Sequence, residues 1–264
     1  MINQLMMAKT AMVTLQHKMQ IISNNVANAQ TVGYKSRRME LETMFPAAFE
    51  RAITEFDDAS GTLRKRRKVF EYGQGVRISD ISKNFQQGTI EITNQPLDMA
   101  VKGNGLFQFR LPDGKTAYSR AGNLHSDREG NLVSANGHTL EPAMKMPRGT
   151  TDVIVNEEGR VFVMVGEETQ PREIGQMILA NFQNVAGLRE IGQNMYIESE
   201  ASGEPLLERP GKNGVGSIQH KALEFSNVNV IDEMVAMVMV QRVFEIAVKA
   251  VNAADAIMKK GGGI

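Results

Sequence analysis

His17, His125, His138 and His220 are the only imidazoles in a chain of 264 residues that contains no cysteine. No two of them stand four apart, and no HExxH occurs. The pattern therefore holds neither a helical metal pair nor an imidazole beside a nucleophile. A GxSxG elbow is also absent. Gly211–Ser217 (GKNGVGS) has the glycines of a phosphate loop but not its GK[ST] ending, and reads as a flexible connector. Lys102–Gly105 (KGNG) reads as a turn between strands. Asp113, Asp127 and Glu129 fall among turn residues, so no buried carboxylate pair is suggested. The expectation is a protein that is not an enzyme, with no cofactor, no metal and no small-molecule substrate.

Charge narrows the partners further. The 30 basic and 30 acidic side chains cancel, so no global field favours nucleic acid or an anionic membrane. The one dense basic run, Arg64-Lys65-Arg66-Arg67-Lys68, lacks interleaved aromatics, and Glu55, Asp57 and Asp58 stand just upstream. It is expected to be a solvated loop or a contact to an acidic neighbour, not a nucleic-acid patch. The first residues, MINQLMMAKTAMVTLQHKMQII, are broken by polar side chains every two or three positions, unlike a cleaved secretory signal. No window suggests a membrane-spanning helix.

What remains is periodicity. Leu5, Ala8, Met12, Leu15, Met19, Ile22 and Val26 are spaced 3 and 4 residues apart in alternation, the period of a coiled-coil seam. A helix over 3–28 would be a rod roughly 39 Å long. The far end repeats the spacing at Ala236, Val240, Val243, Ala247, Ala250, Ala254 and Ile257. A second stripe, Val230, Met234, Met237, Phe244, Val248, Val251 and Met258, runs beside it. Asn229 is positioned to cap this helix, Asp232 and Glu233 suit its first turn, and Gly261-Gly262-Gly263 should end it. One partner helix cannot cover two apolar faces. The stripes are either ordinary core or surfaces that other copies complete.

Between the ends the period falls to two: Ile90 and Ile92; Leu97, Met99 and Val101; Phe107, Phe109 and Leu111. Turn signals punctuate it at Pro112–Gly114, Arg128–Asn131, Asn136-Gly137 and Glu157–Gly159. The fold class expected is α+β: an antiparallel meander or barrel-like all-β domain over 85–225, flanked by coiled-coil-type helices. Residues 1–36 and 226–260 would form a terminal helical module. Residues 37–84 would be a mixed connector, helical over 39–56 and irregular around Gly61, Gly73 and Gly75, and 261–264 a flexible tail.

The stretch Ser23–Ser36, SNNVANAQTVGYKS, crowds three asparagines, a glycine and a tyrosine where the chain must leave its first helix. Asparagine side chains can bond backbone groups freed at a helix end, Gly33 can take a positive φ, and Tyr34 can anchor the turn. ISNNVANAQTVGYKS resembles the N-terminal signature of the bacterial flagellar rod and hook family, through Asn24, Asn25, Ala27, Asn28, Thr31, Gly33, Tyr34 and Lys35. The C-terminal stretch LEFSNVNVIDEMVAMVMVQRVFEIAVKAVNAADAIM is similar to that family's last helix. The matches there are Ser226–Asn229, Glu233-Met234, Gln241-Arg242, Phe244-Glu245 and Ala254-Asp255. YGQGVRI, QQGTIEITNQPLDMAVKGNGLFQ and TAYSRAGNLHSDREGNLVSANGHTLEP extend the likeness through the middle.

The resemblance implies a structural axial subunit of the flagellar basal body, exported unfolded through the flagellar type III apparatus to a site outside the cytoplasmic membrane. Its partners would be copies of itself and neighbouring rod and hook subunits, joined by helices lining a tube. The expected assembly interface comprises Leu5, Ala8, Met12, Leu15, Met19, Ile22, Val26, Asn24, Asn25, Asn28, Gly33 and Tyr34 from the first end. From the last end it comprises Val240, Val243, Phe244, Ala247, Ala250, Val251, Ala254 and Ile257. The alternative is a stand-alone cell-wall- or carbohydrate-binding β-protein on a coiled-coil stalk, which would need a cleft lined by carboxylates within 85–225.

Overall fold

The computed structural model describes residues 2–44, 47–57, 62–72, 75–166 and 170–261. The chain is α+β, mostly strand with one long helix near each end. Helix α1 spans Ile2–Ala27 and α2 spans Val230–Gly261. The expected cap forms at α2, where Asn229 Oδ1 accepts the Ile231 N–H at 3.1 Å. Asp232 and Glu233 fill its first turn, where their charge suits the positive end of the helix dipole. Gly261 is still helical, so the first of the glycines expected to end α2 lies within it; Gly262 and Gly263 lie outside the described residues.

Two compact units divide the chain. The first gathers Met1–Ser23, Arg38–Ser82 and Met234–Ile264; the second gathers Asn24–Arg37 and Lys83–Glu233. The helix expected over 39–56 does not form. Arg37–Thr43 and Ala47–Asp57 are strands, paired with Val76–Lys83 and Thr62–Tyr72 respectively. The alternation Met39, Leu41 against Glu40, Glu42 is a period of two that the helical reading overlooked. Arg64–Lys68 therefore lies in an extended ladder and not a loop, with Arg64 opposite Glu55 in register. Gly61 and Gly73 lie outside the described residues; Gly75 adopts φ +102°.

The second unit holds the hydrophobic core. Its largest sheet has seven strands, running from Arg189–Gly192 at one edge to Leu124–Ser126 at the other. A three-stranded sheet over 150–176 packs into the same core. Among the described residues every sheet is open, so the expected barrel closure is not formed. The turns fall where the sequence places them, and Gly114, Gly130, Gly137 and Gly159 all adopt positive φ in hairpin bends. Phe107, Phe109, Leu124, Leu132, Leu140 and Val163 pack in one cluster at 0–1% exposure. Leu106, Tyr118, Phe182 and Tyr196 form a second cluster.

Candidate assembly interface

α1 ends in a polar knot built almost wholly from the Asn-rich stretch. As the helical ladder runs out, the Asn28 N–H bonds to the carbonyls of Asn24 and Asn25, each at 3.1 Å, and Asn28 Nδ2 adds a bond to Asn24 O at 2.8 Å. These contacts satisfy groups that a helix terminus leaves free. Asn25 is 1% exposed and uses all its capacity. Its Nδ2 donates to Arg37 O at 3.0 Å and to Glu233 Oε1 at 2.9 Å. Its Oδ1 accepts Arg37 N–H at 3.0 Å and faces the Tyr34 hydroxyl at 3.1 Å. One side chain thus imitates a peptide group towards Arg37 and ties the end of α1 to the start of α2, 208 residues away.

Gly33 turns the chain at φ +68°, and its N–H donates to Glu224 O at 2.8 Å. A Cβ there would stand 2.5 Å from the Ala121 nitrogen, so only glycine fits. Tyr34 follows, 3% exposed, with its hydroxyl between Asn24 Oδ1 at 2.9 Å and Asn25 Oδ1. Burial pushes this phenol up from its ordinary value. Lys35 is fully buried, and its Nζ donates to Glu224 Oε1 at 2.6 Å and Gln86 O at 2.7 Å. Burial lowers its pKa, and the Glu224 carboxylate acts in the opposite direction. The Gly88 N–H also donates to Glu224 Oε1. Arg120 approaches the other carboxylate oxygen at 3.7 Å and caps the carbonyls of Val101 and Gly103. Ser36 N–H donates to Asn227 Oδ1 at 2.8 Å, so strands, loop and both helix ends meet at one place.

A second polar layer adjoins the first. Glu190 accepts Arg37 at 2.6 Å and Lys83 at 2.7 Å, and Lys83 also donates to the Tyr196 hydroxyl at 3.0 Å. The Lys83 ammonium lies 4.7 Å from the Tyr196 ring centre, a cation–π contact. Burial lowers the Lys83 pKa and raises that of Tyr196.

The stripes behave differently from the knot. On α1, Ile22 is buried, and Ala8, Met12, Leu15, Met19 and Val26 are half-buried; the Leu5 side chain lies outside the described residues. On α2, Val240 is buried, and Phe244, Ala247, Val251 and Ala254 are half-buried, while Val243 and Ala250 are exposed and the Ile257 side chain is outside the description. α2 also carries Ile231, Met234, Val235, Val238, Met239, Val243 and Ile246, each 48–72% exposed. At 3.6 residues per turn these share one side of the helix, with Arg242 among them. Most described members of both sequence stripes are at least half-buried, but Val243 and Ala250 of the first and Met234 of the second are exposed, and Ile231, Val235, Val238, Met239 and Ile246 of the uncovered face belong to neither stripe. The knot brings together Asn24, Asn25, Asn28, Gly33 and Tyr34. Sequence reasoning missed its partners Glu224, Arg120, Glu190, Lys83 and Tyr196, which no local pattern marks.

The described cavities carry little chemistry. One of about 300 Å³ is lined by Thr31, Ser119, Asn123, Ser134, Asn136 and Asn194 among others, with no charged group. Another of about 430 Å³ has Glu141 as its single carboxylate, already paired with Arg110. Asp98 is engaged by Thr93 Oγ1 at 2.6 Å, and Asp113 caps its own turn through Lys115 N–H. No described helix is long and apolar enough to cross a membrane.

Three family models match the chain: "Flagella basal body rod protein" over residues 5–35, "Flagellar hook protein FlgE/F/G D1 domain" over 100–163, and "Flagellar basal body rod FlgEFG protein C-terminal" over 219–262. The chain is 37% identical over 264 residues to the flagellar basal-body rod protein FlgG of Buchnera aphidicola subsp. Baizongia pistaciae, covering 98% of each chain. It is 34% identical to FlgG of Caulobacter vibrioides, covering 96% of this chain and 95% of the relative. FlgG of Bacillus subtilis is 31% identical, with 98% of both chains covered.

Proposed function

Because this chain belongs to the flagellar basal-body rod protein family, a family of structural proteins, we propose that it is an axial subunit that polymerises into the rod and carries torque from motor to hook. The observation that carries this reading is the uncovered apolar face of α2, seven large side chains on a 32-residue helix. Such a face is completed by a partner helix with the same periodicity, and the terminal helices of neighbouring copies supply one in a coiled-coil-type contact. The knot at Asn24–Lys35 ties the end of α1 to the start of α2 through Asn25 and Glu233. Its partners are further copies and neighbouring rod and hook subunits. The flagellar type III apparatus delivers the chain to the basal body beyond the cytoplasmic membrane.

The carbohydrate-binding alternative needs paired carboxylates on a cleft. The described cavities hold at most one, and it is neutralised by Arg110. Isolation of basal bodies from cells lacking this chain tests the assignment. The expected result is a truncated rod without a hook, restored by the full-length chain. Complete rods in its absence would overturn it.

A further inference from the structure

Outside the helices and among the described residues, the most exposed pair of adjacent apolar side chains belongs to the short strand Leu206–Glu208, where Leu206 is 62% and Leu207 52% exposed. This strand pairs with Leu179–Asn181 on one side and forms the free edge of its sheet on the other. Ala180, the residue opposite Leu207, spends its N–H and C=O on Leu106, at 2.9 and 2.8 Å. In an antiparallel ladder that makes 180–207 a non-hydrogen-bonded pair, so the backbone N–H and C=O of Leu207 point outward. Two exposed leucines beside unspent backbone groups form a template for strand addition.

The same chain displays a complementary edge. Arg189–Gly192 is the terminal strand of the seven-stranded sheet. A bulge between Glu190 and Gly192 leaves Ile191 without an opposite residue, and Ile191 is 43% exposed. Arg189 is exposed, and among the described residues it has no ion-pair partner. Set antiparallel, Leu206 faces Ile191 and Glu208 faces Arg189. Asn213 holds only one Glu208 oxygen, at 2.7 Å, which leaves the other for an incoming guanidinium.

We infer that Leu206–Glu208 of one copy docks edge to edge on Arg189–Ile191 of a second copy, giving the β-units a contact of their own beside the helical one. This rests on the rod reading above. The two surfaces differ, so the contact is heterologous: each copy keeps one edge of each kind free, and the contact propagates along a polymer rather than closing a dimer.

The absence of native cysteine makes the contact directly testable in the full chain. A Leu206→Cys, Ile191→Cys double variant expressed in cells should give a ladder of disulfide-linked oligomers from oxidised basal bodies, and each single variant should give none. Rods that contain the double variant but yield only monomer would overturn the contact and leave the rod reading intact. Absence of wild-type chain from purified rods would overturn the rod reading itself. Charge reversal supplies an independent readout: Arg189→Glu and Glu208→Arg should each shrink the swimming halo, and together restore it. A double variant no better than either single one would refute the pairing.

Discussion

Asn25 shows how much one buried side chain can hold in place. It satisfies both backbone groups of Arg37 and reaches Glu233, so its loss would strand several polar partners at once. Gly33 beside it is constrained by sterics alone. Gly33→Ala places a methyl on the Ala121 backbone at a positive φ, and the unfolding free energy of the full chain in urea should fall by roughly 2–4 kcal/mol. The tyrosines give a pH signature. Burial raises the Tyr118 pKa from 10.0 to about 12, with Glu198 and Glu141 adding to it. A raised folded-state pKa contributes stability that is whole below pH 10 and lost as pH rises towards 12. Thermal melts across that window should show a smaller loss for Tyr118→Phe than for the parent chain. Gly33, Asn25 and Tyr34 were legible because asparagine and glycine density at a helix end has a local physical reason. Lys35–Glu224 was not, because the partners are 189 residues apart and each alone resembles a surface charge.

Among the elements, the two helices and the hairpins of the β-unit were readable from period and turn chemistry. Residues 39–56 were not: the apolar positions there fit a loose helical face as well as an alternating strand, and only pairing with Val76–Lys83 and Thr62–Tyr72 decides between them. On α2 the spacing marked where apolar residues fall but not which of them find cover, since a helix rich in valine and methionine all round supports several seams. The structure separates the two faces, and that separation carries a prediction. Val240→Asp puts a charge at a site 6% exposed and should lower the melting temperature of the free chain. Ile246→Asp, at 65% exposure, should change free-chain stability by less than about 0.5 kcal/mol yet abolish swimming. Ile246→Asp cells that swim normally would remove α2's open face from the interface.

Across the whole molecule, the division of labour is between a β-unit with a closed core and helices whose surfaces are not all closed. The knot at 24–37 belongs with the β-unit, as do the first four residues of α2. The sequence could show that apolar stripes exist and where the family motifs lie. Which face stays open depends on long-range packing and became visible only in three dimensions. The most direct test of the account is the solvent accessibility of that face before and after assembly. A Val243→Cys chain, with no competing thiol, should react readily with a maleimide as purified monomer and be protected in isolated basal bodies. Equal labelling in both states would contradict it.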